Sequence, residues 1–560
     1  MDVTRIPRAR LVPLAACALL VSAPGVLHEP LRDAPVVWYA DDMRTIPEPA
    51  ERDPHIIRAA IDATLFRPFG RFFHPGRFVR RVGTAFGGDH VPAAANVNVL
   101  DEVPNSSWFT NRLGLFPSAP AVAARGPAVG EGPAAPWTVI RPKTVGVTPG
   151  FNIRDANGQV WVIKFDVVGF PSMATAAGVI SGRILHAVGY NVPDDRVVTF
   201  TRDQLQISPD AEIREDDHRR PMTDADLDEL LARVERNPDG SWRALASRFL
   251  SGTLVGPFDW RGRRRDDPND RVNHEDRREI RGLAVFAAWL CHYDTKQGNT
   301  LDMYVEEDGR RFIRHYLIDF ASTLGAGGTG PFPAACYEYS FDISASFVRA
   351  LSLGLFEDPW RQLERPEGLD EIGYYESDIF HPRSFKSLEP NAAFANLTDR
   401  DGYWAAKIIS AFTDAHLEAM VAEGRYRTPE AARWMRRVLA ERRDEIVRYW
   451  FSRVPALDFF TYHNGALRFH DLARERGILD AEGTRSRVRL AFAAPSRDLG
   501  PSTAWVELER PEVQLSVSTI PGNHQPFIAV DVQVTRGTRW SHTVRVFVAV
   551  ESGRVVALER

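Results

Sequence analysis

The chain has 560 residues, enough for about three or four domains, and its 44% hydrophobic and 26% charged residues can fill several cores. Global disorder, a collagen-like fibre and a polytopic membrane protein are excluded. Lys and Arg number 69 against 74 Asp and Glu, a net charge of −5, so no domain-wide basic field is available and no nucleic-acid partner is expected. The 3 cysteines cannot form a disulfide framework, and no CxxC or paired Cys/His spacing points to structural zinc.

Arg5, Arg8 and Arg10 precede an apolar stretch over residues 11–27 that Pro13 and Pro24-Gly25 interrupt. A positive flank, a short apolar core and small residues are the layout of a secretory signal. Residues 1–27 are therefore expected to direct the chain to an extracytoplasmic location, periplasmic or secreted. The stretch is too short and too broken by proline for a stable spanning helix, so no transmembrane helix is expected in the mature chain. Leu14-Ala15-Ala16-Cys17 looks like a lipoprotein cleavage box and makes Cys17 a candidate lipid anchor, although the apolar run continues through Val21. Cys291 and Cys336 are read as two separate buried thiols, with pairing open to them in an oxidising compartment.

Residues 28–134 read as an N-terminal extension and linker. Ile57, Ile61 and Leu65 predict a helix that Pro68 stops, residues 92–112 are polar and turn-rich, and residues 126–136 are Gly/Pro/Ala-rich. An apolar strand is expected over 160–165, entered through the turn Asp155-Ala156-Asn157-Gly158. Helical spacing follows from Met173 to Val188, with Gly189 in the stop position and Pro193 beyond. In the charged insertion over 203–242 a helix starts at Thr223, whose hydroxyl can cap the amide near Asp226. The basic run Arg261 to Arg265, followed by Asp266 and Asp267, reads as a locally neutralised surface loop. A helix is expected over 275–291, with Leu283, Phe286, Ala287 and Leu290 on one face, and two long amphipathic helices over 403–422 and 429–451.

Beyond residue 460 the pattern changes to period two. Val488/Leu490/Phe492, Val513/Leu515/Val517, Val530/Val532/Val534 and Val544/Val546/Val548/Val550 alternate between turn signals such as Pro521-Gly522-Asn523. Residues 461–560 are therefore expected to form a small, independently folding antiparallel β-sandwich without a catalytic role.

The segment richest in chemistry is His292-Tyr293-Asp294-Thr295-Lys296-Gln297-Gly298-Asn299, at the end of the 275–291 helix. Downstream, Leu317-Ile318-Asp319-Phe320-Ala321-Ser322 is an apolar strand that reaches an acid. One loop of this kind presents a carboxylate to an acceptor hydroxyl and, five residues on, an amide oxygen to a metal. A second carboxylate from an adjacent strand completes the hard-oxygen site that Mg²⁺ prefers. The two segments resemble the protein-kinase-like superfamily, whose catalytic loop reads H-x-D-x-K-x-x-N and whose metal-binding strand ends in D-F-G. The resemblance implies Asp294 as the base, Lys296 near the transferred phosphate, and Asn299 and Asp319 as Mg²⁺ ligands. Val162-Ile163-Lys164 resembles the kinase V-A-I-K strand and implies that Lys164 touches the α- and β-phosphates of ATP. Gly146 and Gly150 stand where a glycine-rich phosphate loop would lie, with Pro149 removing one amide donor. Residues 250–257 stand where a hinge strand would face the adenine.

The resemblance covers residues 135–460 and implies an α+β fold: a two-lobed protein-kinase-like domain (about 135–258 and 259–460) followed by the all-β sandwich-like domain. The long inserts and helical second half look most like the atypical bacterial branch, the HipA-type and spore-coat CotH-type kinases. Two positions depart from the pattern. The Met173 to Val188 helix has no acid to pair with Lys164, Gly178 standing near the expected place, and Asp166 is an awkward substitute. Ala321 replaces the D-F-G glycine. The expected function is ATP- and Mg²⁺-dependent phosphate transfer to the hydroxyl of a protein or small molecule. Adenylyl transfer and a catalytically weak pseudokinase acting as a binding scaffold are the alternatives. Hydrolases are disfavoured because neither H-E-x-x-H nor G-x-S-x-G occurs.

Overall fold

The computed structural model describes residues 29–52, 91–143, 149–215, 218–340, 349, 351, 358–478 and 483–560. The signal segment with Cys17, the helix expected around Ile57 and the Gly146 position lie outside the described residues. The rest is a mixed α+β chain with several separate sheets.

The first sheet is built from β1 (Trp137–Pro142), β2 (Gly150–Arg154), β3 (Val160–Lys164), β4 (Asp195–Phe200) and β5 (Leu205–Ile207), with β8 (Trp242–Arg248) entering after a separate hairpin of β6 (Glu212–Glu215) and β7 (His218–Pro221). Its order is β4-β8-β3-β2-β1-β5, so Lys164 sits on an interior strand. The turn into β3 forms as expected: the Asp155 carboxylate accepts from the amides of Asn157 and Gln159 at 2.9 Å and from the Trp161 indole at 3.2 Å. Side chains then alternate. Trp161, Ile163 and Phe165 join Trp137, Val139, Phe151 and Ile153 in one buried cluster, which leaves Val162 and Lys164 on the opposite face. Gly150 pairs with Lys164 in the ladder, and a Cβ there would stand 2.2 Å from the Ile163 carbonyl oxygen. Glycine at this position is a packing requirement of the β2–β3 pair.

Helix Met173–Val188 has the bounds its spacing predicts and is buried almost along its whole length. Gly189 ends it at φ 145°, where a Cβ would meet the Phe109 ring at 2.3 Å. The Thr223 cap also forms, and in return the Asp226 carboxylate accepts from the Thr223 amide.

The chain then leaves the first sheet. β9 (Thr253–Leu254), β10 (Thr300–Glu307) and β11 (Arg310–Leu317) form a three-stranded sheet in the order β11-β10-β9. The β10–β11 hairpin turns at Asp308-Gly309, both left-handed at φ 49° and 72°, the geometry of a tight primed turn. A further small hairpin joins β12 (Ala326–Gly327) to β13 (Gly330–Pro331). Helix Arg278–Leu290 is the buried axis of the largest core, with Asp399–Ser410 and Pro429–Arg453 packed on it and Asp414–Glu423 against Pro429–Arg453 and Met173–Val188. The helix expected over 403–422 is two helices. Thr413 starts the second by accepting from the His416 amide, so the break is a capping event inside an otherwise apolar run.

Two expectations are corrected. The basic run lies on the surface at Arg261, Arg263 and Arg265, but Arg264 is fully buried, with Nη1 3.3 Å from Asp302 and Nε 3.1 Å from Asp266. A guanidinium that reaches two carboxylates can be buried where an unpaired one cannot. Cys291 and Cys336 are joined in a disulfide, with Cα atoms 5.6 Å apart, instead of standing as separate thiols. Peptide mapping without reductant should recover the two cysteines in one linked peptide, and Cys336→Ser should lower unfolding stability by about 2–4 kcal/mol.

The C-terminal strands are β14 (Leu457–His463), β15 (Ala466–Asp471), β16 (Arg485–Ala493), β17 (Leu499–Ser502), β18 (Val506–Leu508), β19 (Glu512–Gln514), β20 (Phe527–Thr535), β21 (Val544–Ala549) and β22 (Val555–Glu559). A sheet ordered β14-β15-β19 shares one apolar core with the sheet built on β16, β20, β21 and β22. This region leans on the rest of the chain. Leu31 completes a second cluster with Phe527 and Phe547, and residues 29–52 run on from there to Ile46, packed on Val255 and Ile313. A buried charge network crosses the same boundary. Arg278 bonds Asp101 at 2.7 Å and Asp401 at 3.1 Å, while Arg560 bonds Asp458 at 2.8 Å and Lys407 lies 3.2 Å from the same carboxylate. Among the described residues, no helix is long and apolar enough to cross a membrane.

Candidate functional site

The β10–β11 hairpin assembles the site. Its register sets Thr300 opposite Leu317, so Asn299, just before β10, lies beside Ile318, just after β11. The Ile318 amide donates to the Asn299 carbonyl at 3.0 Å. Asp319 follows in the left-handed region at φ 61°, a conformation a non-glycine residue adopts at some cost and one that recurs at functional positions. The loop from His292 to Asn299 closes on itself. The Asn299 side-chain amide donates to the Asp294 carbonyl at 2.7 Å and to Asp294 Oδ2 at 3.0 Å, and Lys296 Nζ lies 3.0 Å from the same Oδ2.

Lys164 reaches this group from the first sheet: its Nζ stands 2.8 Å from Asp319 Oδ1. The pair is graded in exposure, the lysine side chain 15% and the aspartate 43% accessible, so the ammonium forms the base and the carboxylate the opening. Burial works against the lysine's charge, but Asp319, with Asp195 behind it, holds Lys164 above the ordinary lysine range. Burial likewise opposes the Asp319 charge, yet Lys164, Lys143 and Lys296 together hold its carboxyl below the ordinary range. Lys143, just after β1, is itself pushed down by burial and by Lys164.

His292 is buried against the Phe320 ring at 5.6 Å, and burial lowers it to about 4 despite Asp294 and Asp319 nearby. It is neutral at pH 7 and its Nδ1 has no hydrogen-bond partner. The segment after Asp319 is tied to helix Met173–Val188, where Ser181 and Thr323 hydroxyls meet at 2.7 Å. Asp166 does not serve Lys164. Its carboxylate accepts from the Ser172 and Thr175 amides at 3.0 and 2.8 Å and lies 3.7 Å from Arg243, which anchors the start of the helix.

Asp294, Lys296, Asn299, Asp319 and Lys164 are thus neighbours, and Gly150 lies opposite Lys164 in the strand pairing. Sequence reasoning missed two charged residues, Lys143 and Asp195. Asp195 and Val197 share one face of β4, and Val197 packs on Val179 of the helix, which puts the acid on the face toward the helix. Chemically, the site offers a carboxylate to orient a hydroxyl, an amide and a second carboxylate for a hard cation, and three lysines for an oligophosphate. Among the described residues no cluster of three or more His, Cys, Asp or Glu side chains forms a metal cage. Mg²⁺ does not require one, since it takes one or two protein ligands and completes its shell from phosphates and water. The Asn299 amide nitrogen is engaged with Asp294, which leaves its Oδ1 for a cation, and together with the Asp319 carboxylate it has the hard-oxygen chemistry that Mg²⁺ takes.

Neither family models, nor curated proteins, nor solved structures match this chain.

Proposed function

We propose that the chain is an exported, two-lobed kinase-like phosphotransferase that moves the γ-phosphate of ATP to a protein or small-molecule hydroxyl. The observation that carries this reading is the convergence of Lys164, from a strand of the first sheet, with Asp294, Lys296 and Asn299, from the loop before β10, and Asp319, just after β11. Phosphoryl transfer asks the protein mainly for position and charge. Asp294, held by Asn299 and Lys296, orients the acceptor hydroxyl and takes its proton. Lys164 and Lys143 neutralise phosphate oxygens from the sheet side and Lys296 from the loop side. Mg²⁺, held by Asn299 and Asp319, would supply charge neutralisation across the phosphates. The Cys291–Cys336 bond next to this loop supports an oxidising, extracytoplasmic location.

A scaffold reading draws on one observation: helix Met173–Val188 brings no acid to Lys164. Thermal denaturation with and without ATP and Mg²⁺ separates nucleotide binding from its absence. Ligand at 100 times its dissociation constant stabilises the fold by about 2.7 kcal/mol, so a clear rise in melting temperature is expected. No rise at millimolar Mg·ATP would sink the nucleotide reading. A rise without phosphate transfer to any acceptor, or to the protein itself, would favour the scaffold.

A further inference from the structure

Helix Met173–Val188 supplies no carboxylate to Lys164, and it packs closely where one would start. At Gly178, near the middle of the helix, a Cβ would stand 3.3 Å from Leu245 Cδ1 and 3.7 Å from the Ala321 amide nitrogen. At Gly182, one turn on, it would stand 3.5 Å from the Phe320 ring. The helix lies close enough to the sheet and to the Asp319 segment that a side chain at Gly178 would begin in contact with Leu245 and the Ala321 backbone.

The same close approach opens a line from the far edge of the sheet. In the ladders, Lys164 pairs with Leu245, Val162 with Ser247, and Ser247 with Asp195. Side chains opposite one another share a face, so Lys164, Val162, Leu245, Ser247 and Asp195 all point toward the helix. Asp195 lies two strands over and two residues along from Lys164, roughly 12 Å between backbones, and the two side chains reach toward each other closely enough for each charge to act on the other without a direct ion pair. Asp195 Oδ2 also lies 3.9 Å from the position of a Gly182 Cβ, in the gap that the missing side chain leaves.

Asp195 is 4% exposed, and its Oδ1 has no hydrogen-bond partner. A buried carboxylate with an unpaired oxygen is costly, so the fold is not keeping it for stability alone. Burial raises it to about 6, against the Ser247 hydroxyl and the Lys164 and Arg183 charges that favour its ionised form.

We propose that Asp195 is the positioning acid of Lys164, doing from strand β4 what helix Met173–Val188, which carries no acid, does not do. This rests on the nucleotide-binding reading above. Asp319 is both the nearest partner of Lys164 and a candidate metal ligand. A carboxylate shared with a divalent cation holds an ammonium less firmly, and a second anion then keeps Lys164 aimed. Asp195 touches no reacting atom in this role and acts only through the lysine.

The test compares wild type, Asp195→Asn, Lys164→Met and the double variant. Three quantities are read: melting temperature without nucleotide, the dissociation constant for Mg·ATP, and kcat/KM for transfer. Asp195→Asn should melt no lower than wild type, because it removes a buried charge and keeps the Ser247 contact. It should weaken Mg·ATP binding and kcat/KM by about 10–100-fold, the usual effect of losing an orienting partner. In the Lys164→Met background the same change should have no further effect on binding. Equal losses in both backgrounds, or a lower melting temperature with unchanged binding, would overturn the role. If Asp195→Asn does not fold, Ser247→Ala removes the hydroxyl that orients Asp195 and should weaken binding in the same direction; unchanged binding overturns the proposal. A wild type that binds no Mg·ATP defeats the nucleotide reading and this inference with it. Wild-type binding with an unaffected Asp195→Asn defeats this inference alone.

Discussion

Asp294→Asn should leave Mg·ATP binding intact while lowering phosphate transfer by about 10²–10⁴-fold, the range general-base help supplies. The amide keeps the shape of the side chain and one oxygen for Asn299, but it cannot accept the acceptor's proton. Asp319→Ala should behave differently. It removes the charged partner of Lys164 2.8 Å away and one of the two metal-facing groups, so the Mg²⁺-dependent part of nucleotide binding should disappear. Thermal shift with and without Mg²⁺, alongside single-turnover transfer, separates the two. Loss of binding in Asp294→Asn, or Mg²⁺-dependent binding retained in Asp319→Ala, would reverse the assigned roles.

A large stability effect is expected far from this site. Arg278 bridges the Asp101 and Asp401 carboxylates inside the core, at 1% exposure. Arg278→Met takes one cation from each of two buried carboxylates, leaving Asp101 to Arg400 and Asp401 to Arg281, and should cost about 3 kcal/mol, read by urea denaturation. The same network has a pH signature. Burial pushes the Asp101 carboxyl up, but Arg278, Arg400 and Arg560 outweigh it and hold the group at about 2, below its ordinary 3.8. A depressed carboxyl stabilises the fold above its unfolded value and loses that stabilisation as pH falls through the folded one. Wild type should therefore lose stability between about pH 4 and 2 through this group, and Arg278→Met should lose less over that interval. An equally steep acid limb in the variant would show that the network is not responsible.

Local signals were legible in the sequence and long-range ones were not. The helix Met173–Val188, its Gly189 stop and the Thr223 cap are written within a few residues of one another, and the structure keeps them. The alternation of Val530, Val532 and Val534 reads directly as a buried strand face. The loop residues Asp294 and Asn299 were legible because their contact spans five positions. The β10–β11 hairpin was missed although Asp308-Gly309 is a strong turn signal, and that hairpin is what brings Asp319 to Asn299. Asp195 was missed for a deeper reason. Its relation to Lys164 depends on β8 inserting between β3 and β4, a pairing order that no local pattern encodes. Arg264 and the Cys291–Cys336 bond belong to the same class, since burial and pairing there are set by partners tens of residues away.

Arg497 gives the tie between residues 29–52 and the C-terminal sheets a further meaning. Its Nε donates to the Glu29 carbonyl at 2.9 Å, and its Nη1 bonds the Glu559 carboxylate at 2.7 Å. One side chain thus spans the first described residues and the penultimate one. A probe placed beside Glu29 and one placed beside Glu559 would therefore sit on the same patch of the β region and report on the same contact.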